Sequence, residues 1–140
     1  MTPKLTGKGN RKSFKLQGVV TSGKRESRFF TEIPWVKKQF IDKLGINPYP
    51  GTFNITVRAE DREKLNTVRE STGVKIIPED VNFCTANSFP VLVNGKIKGA
   101  AIIPLVLNYP QAQLEVISSE NIKQSLSLKD GDQVEVEVYL

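Results

Sequence analysis

Histidine is absent from this 140-residue chain, and cysteine occurs once, at Cys84. One thiol cannot form an internal disulfide. With no imidazole and no thiol cluster, His-based metal sites, multi-thiolate zinc sites and Ser-His or Cys-His nucleophiles are all excluded. Long apolar runs are missing as well: none reaches the roughly 18 residues of a membrane helix, and the first residues lack the apolar centre of a signal peptide. No internal repeat is found, and no low-complexity segment beyond the first residues. These absences lead us to expect a cytoplasmic protein in a reducing compartment.

What is present is ordinary in amount and uneven in place. The 39% hydrophobic and 25% charged fractions are those of a globular chain of one domain. The net charge is +5. Up to residue 28, Lys4, Lys8, Arg11, Lys12, Lys15, Lys24, Arg25 and Arg28 face Glu26 alone, so this end holds +7 and the remainder −2. Such an end suits nucleic acid, the phosphates of a nucleotide, or solubility alone. Residues 1–13 read as a flexible basic tail and 14–140 as the folded domain.

Along the domain, Leu16, Val19 and Val20 mark a strand ending at Gly23, and Phe29 and Phe30 the start of another after the polar loop Lys24 to Arg28. Pro34 opens a helix carrying Val36, Phe40, Ile41 and Leu44 at helical spacing, with Gly45 as its stop. Asn47-Pro48-Tyr49-Pro50-Gly51 is a stiff turn feeding a strand in which Phe53, Ile55 and Val57 alternate, so Thr52, Asn54 and Thr56 share its other face. Asp61 is placed to cap a helix to about Arg69, and Val74–Ile77, Val81–Thr85 and Val91–Val93 read as short strands. Asn94-Gly95 is a type I′ hairpin signal. Leu114–Ile117, a short helix in 119–125 and a strand through Val134, Val136 and Val138 complete the chain. Many short strands and one good helix imply a mainly β fold, a closed barrel without exposed edges.

Taken in order, GVVTSG (18–23), FF (29–30), LG (44–45), PYPGTFN (48–54), KGAAIIP (98–104), YPQAQLEVI (109–117) and LKDGD (128–132) resemble the archaeal-type CTP-dependent riboflavin kinases over residues 16–140. PYPGTFN is the most specific of these motifs. The resemblance implies a small six-stranded cradle-loop barrel with one main helix and short accessory helices. The implied reaction transfers the γ-phosphoryl group of CTP, or another nucleoside triphosphate, to the 5′-hydroxyl of riboflavin, giving FMN and CDP with magnesium as cofactor.

The same resemblance marks site residues. Thr52 and Asn54 would be the magnesium ligands: a hydroxyl and an amide oxygen two residues apart on a strand lie roughly 7 Å apart along the chain and can share a cation whose anionic ligands come from the nucleotide. Otherwise they simply cover a solvent face. Lys24-Arg25-Glu26-Ser27-Arg28-Phe29 stands where the family has a glycine-rich nucleotide loop, Leu-Gly-Glu-Gly-Arg. Arg25 and Ser27 replace its glycines, so side-chain donors would stand in for backbone ones. Asn121, Ile122, Lys123 and Gln124 align with a second nucleotide-binding stretch. Glu115 aligns with an acidic flavin contact, and Leu107 with a usual threonine, leaving Asn108 as its neighbouring candidate. No catalytic base is singled out, Glu115 being the one poised carboxylate. Two other readings stay open: a non-catalytic flavin- or nucleotide-binding module of the same fold and, third, a nucleic-acid-binding barrel. No membrane partner is expected.

Overall fold

The computed structural model describes residues 12–23 and 26–140. Seven strands form one antiparallel sheet: β1 (Ser13–Thr21), β2 (Phe53–Val57), β3 (Val74–Ile76), β4 (Ala86–Val93), β5 (Ile97–Pro104), β6 (Gln113–Ile117) and β7 (Gln133–Tyr139). Their order is β3-β4-β5-β6-β2-β1-β7, and β7 returns to pair with β4, closing six strands into a barrel with β3 as an added strand. The closure divides one edge of β4: residues 86–88 pair with β3, and 91–93 with β7. Pro90 lies between these stretches, where a residue without an N–H breaks neither ladder.

The period-2 patterns decide which face is inside. Val134, Val136 and Val138 of β7, Leu16 and Val20 of β1, and Phe53, Ile55 and Val57 of β2 all point into one cluster. Each such side chain withdrawn from water contributes about 1.5–3 kcal/mol. Leu65 and Val68, from helix α3 (Arg62–Glu70), and Ile122, from α4 (Ile122–Ser125), join it. A second cluster lies outside the barrel, where Val36 and Phe40 of α2 (Pro34–Leu44) cover Ile76, Ala100 and Ile102. Gly45 ends α2 as expected, with φ of 69° and its N–H on the Ile41 carbonyl at 3.0 Å.

Four expectations are corrected. Phe29 and Phe30 belong to a helix, α1 (Glu26–Thr31), and start no strand. Six residues are too few to display a helical period, and an aromatic pair resembles a strand. Residues 81–85 are turn and loop: Val81 is fully exposed, while Phe83 packs on Phe30 and Trp35 with ring centroids 6.1 and 5.5 Å away. Asp61 precedes α3 without capping it. Its buried carboxylate instead accepts the Gln17 N–H of β1 at 2.8 Å and the Arg58 Nε–H at 2.9 Å. The Asn94-Gly95 turn has the expected positive φ values, 50° and 66°, but takes in Lys96, so that Val93 pairs with Ile97.

Candidate active site

The turn before β2 is fixed from both sides. Tyr49 donates its N–H to the Ser118 carbonyl at 2.8 Å. Gly51, at φ of 99°, donates to Thr31 Oγ1 at 2.8 Å. Thr31 is buried at the end of α1, and its hydroxyl donates in turn to the Arg28 carbonyl. Chain direction at Thr52 is therefore set by α1 and by the segment after β6 together.

Beyond that turn, β2 turns Asn54 away from the barrel interior, as alternation requires, yet Asn54 is buried. Its Nδ2 donates to the Thr52 carbonyl at 3.0 Å. Only the amine end of an amide can do so, which fixes the position of Oδ1. Thr52 Oγ1 lies 3.4 Å from Asn54 Oδ1 and donates to Glu115 Oε1 at 3.1 Å. Glu115 arrives by sheet register, being the cross-strand partner of Asn54 on β6. Gly23 packs against the same amide: a Cβ there would lie 2.1 Å from Asn54 Nδ2.

The other carboxylate oxygen of Glu115, Oε2, accepts the Tyr109 O–H at 2.6 Å. Burial, and then the Glu115 charge and this bond, push the Tyr109 phenol far above its ordinary value, so it stays protonated and acts as a donor.

Two cavities meet at Thr52. One, of about 200 Å³, lies among Tyr49, Gly51, Thr52, Asn121, Ile122 and Lys123. The other, of about 490 Å³, has Phe30, Phe83, Ile102 and Tyr109 as apolar walls, with Asn108 and Glu115 as polar points. The larger has the size and mixed lining of a small-molecule site.

Residues 20–138 match the family model CTP-dep_RFKase, described as Domain of unknown function DUF120. The chain is 40% identical over 131 residues to a riboflavin kinase of Archaeoglobus fulgidus, covering 91% of this chain and 56% of that protein. It is 35% identical to the riboflavin kinase of Sulfurisphaera tokodaii, covering 89% of this chain and 95% of that protein. A third, from Ignicoccus hospitalis, is 34% identical across 91% of this chain and 73% of its own length. The chain belongs to the riboflavin kinase family.

Against that family, the marked residues fall into separate groups. Thr52, Asn54 and Glu115 come together. Asn121, Ile122 and Lys123 line the smaller cavity, where Asn121 Oδ1 caps α4 by accepting the Gln124 N–H at 3.1 Å. Lys123 is ion-paired with Asp130 at 2.7 Å. The hydrogen bond from Lys123, and next that from Ser22, hold the Asp130 carboxyl below its ordinary value. Gln124 lies further out, with Lys129 and Asp130. Lys24, Arg25 and the Glu26 side chain lie outside the described residues. Ser27 reaches the larger cavity, whereas Arg28 and Phe29 are exposed. Leu107 is fully exposed, and Asn108 lines the cavity beside it. Thr31, Gly23 and Tyr109 escaped the sequence reading. Gly23 closes the GVVTSG motif and Tyr109 opens YPQAQLEVI, which is the only signal they leave.

Proposed function

We propose that this chain transfers the γ-phosphoryl group of CTP to the 5′-hydroxyl of riboflavin, yielding FMN and CDP, with magnesium held by Thr52 and Asn54. The observation that carries the reading is that Thr52 lines both cavities and shares its hydroxyl with Glu115. The smaller cavity then takes the nucleotide, with Asn121 to Gln124 beside it. The larger takes the flavin against Phe30 and Tyr109, with Asn108 and Glu115 meeting its polar groups.

The donor set fits a hard cation. Neighbouring oxygens of an octahedral magnesium lie about 3 Å apart; Thr52 Oγ1 lies 3.4 Å from Asn54 Oδ1, and the Asn54 Nδ2–H that donates to the same Oγ1 at 3.1 Å is the bond a shared cation would replace. Among the described residues no group of three His, Cys, Asp or Glu could hold a metal by itself, in keeping with affinity that depends on the nucleotide phosphates. When bound, the ion neutralises phosphate charge, which is most of what phosphoryl transfer asks of a protein.

Glu115 Oε1 is placed for the nucleophile. As the ribityl oxygen bonds to the γ-phosphorus and the bond to the bridging β-oxygen breaks, the hydroxyl proton passes to this carboxylate. Thr52 and Glu115 hold the two reactants against one another, and the apolar walls exclude water as the acceptor.

Incubation with riboflavin, magnesium and either CTP or ATP, followed by separation of the flavins, tests this. FMN is expected with CTP and not once the metal is chelated; no FMN with any nucleotide refutes it. Replacing Thr52 and Asn54 by alanine is expected to raise the magnesium needed for half-maximal turnover at least roughly tenfold. Arg25 and Ser27, standing in for loop glycines, favour one alternative, binding without turnover, which calorimetric binding of both ligands with no product would reveal.

A further inference from the structure

Among the described residues, Glu115 is the carboxylate that accepts the Thr52 hydroxyl where the cavities meet, and its two oxygens are held unequally. Oε2 receives the Tyr109 hydroxyl at 2.6 Å, whereas Oε1 receives the Thr52 hydroxyl at 3.1 Å. A short bond from a half-buried phenol to an anion is the stronger of the two. The phenol stays protonated and so remains a donor to Oε2. The oxygen free to exchange partners is therefore Oε1, on the Thr52 side.

Tyr109 depends on a support of its own. It sits in the segment between β5 and β6, which has no helix or strand to fix it. The next two residues are held from outside: Arg69 of α3 donates through Nη2 to the Pro110 carbonyl at 2.9 Å and the Gln111 carbonyl at 2.7 Å. One guanidinium nitrogen thus grips two successive carbonyls. Ala112, the following residue, accepts the Val57 N–H of β2 at 2.7 Å. The segment is pinned to α3 and β2 just where Tyr109 leaves it.

We infer that Tyr109 is a positioning residue that aims Glu115 at the phosphoryl acceptor, and that Arg69 extends this support to helix α3. The inference rests on the riboflavin kinase reading above. The hydroxyl, not the ring, carries the effect, since the ring alone would leave Oε2 unpaired and the carboxylate free to rotate away from Thr52.

Tyr109→Phe, Glu115→Gln and the double variant are compared with wild type for kcat, both KM values and Tm, using single-turnover rates where Glu115→Gln is slow. The expectation for Tyr109→Phe is a kcat lowered roughly ten- to hundredfold, an unchanged KM for nucleotide, and no further loss when it is added to Glu115→Gln. A purely structural role predicts losses that multiply in the double variant. Multiplying losses, or full kcat in Tyr109→Phe, overturn the positioning role while leaving the riboflavin kinase reading intact. A wild type that makes no FMN overturns that reading and the positioning role with it. Should Tyr109→Phe not fold, Arg69→Met, which keeps the Tyr109 hydroxyl but has no donor for the two carbonyls, carries the same comparison with the same outcomes.

Discussion

Gly23 and Asn54 set the tolerance of the site. An alanine at position 23 would place Cβ 2.1 Å from the Asn54 amide nitrogen and 2.7 Å from its Cγ, so the amide must swing away from Thr52. Gly23 is itself exposed, and Gly23→Ala is expected to cost only about 1 kcal/mol of stability. A displacement of this size in a positioning group costs roughly a hundredfold in turnover, so melting and FMN formation should separate in this variant. Asp61 behaves oppositely, mattering to the fold and not to the site. Burial raises its pKa, but the Gln17 N–H and Arg58 outweigh burial and leave it lowered. Its stabilisation is then complete above the unfolded value, about 4, and drains away as pH falls through the lower folded value. Asp61→Ala leaves the Gln17 N–H without its acceptor, a loss of about 1–3 kcal/mol at neutral pH, and urea unfolding should show the gap to wild type closing below about pH 4. At this scale the sequence made Thr52 and Asn54 legible, since alternation from Phe53 to Val57 decides their face. Glu115 meeting Thr52 was hidden, because it needs the β2–β6 register, which joins residues some sixty positions apart.

Helix α1 shows how a short element positions a site. Its two aromatics diverge: Phe29 faces solvent, while Phe30 packs on Trp35 and Phe83 and forms a wall of the larger cavity. What anchors the helix is Thr31, whose buried hydroxyl joins the Arg28 carbonyl to the Gly51 N–H. Thr31→Val keeps the shape and removes both bonds. It should lower stability by about 1–3 kcal/mol and, by freeing α1 from the turn, weaken riboflavin binding, which quenching of flavin fluorescence measures. The long helix α2 and the alternating strands β2 and β7 were readable because each spans enough residues to repeat its period. Neither α1 nor the 81–85 loop does, and there tertiary contacts of Phe30 and Phe83 overrode local propensity.

For the whole molecule, a closed barrel followed from the number of short strands, but not its closure: the β4–β7 pairing and the divided edge around Pro90 are long-range facts that no local pattern announces. Charge is the property of the whole chain that was fully visible, and it bears on which substrate is attracted. The excess of +7 up to residue 28 outweighs the −2 of everything after it. Under the proposed reaction one substrate is a polyanion and the other, riboflavin, is uncharged, so a long-range field acts on one of them alone. The Debye length shrinks from about 10 Å at 0.1 M salt to about 3 Å at 1 M. Over that range the KM for CTP should rise several-fold while the KM for riboflavin holds steady. Removing residues 1–11 takes away Lys4, Lys8 and Arg11 but neither β1, which begins at Ser13, nor the Lys12 carbonyl that accepts the Leu140 N–H. The shortened chain is therefore expected to fold, to turn over, and to show a shallower salt dependence for CTP. If the two KM values instead rise together with salt, the basic end is not what draws the nucleotide in.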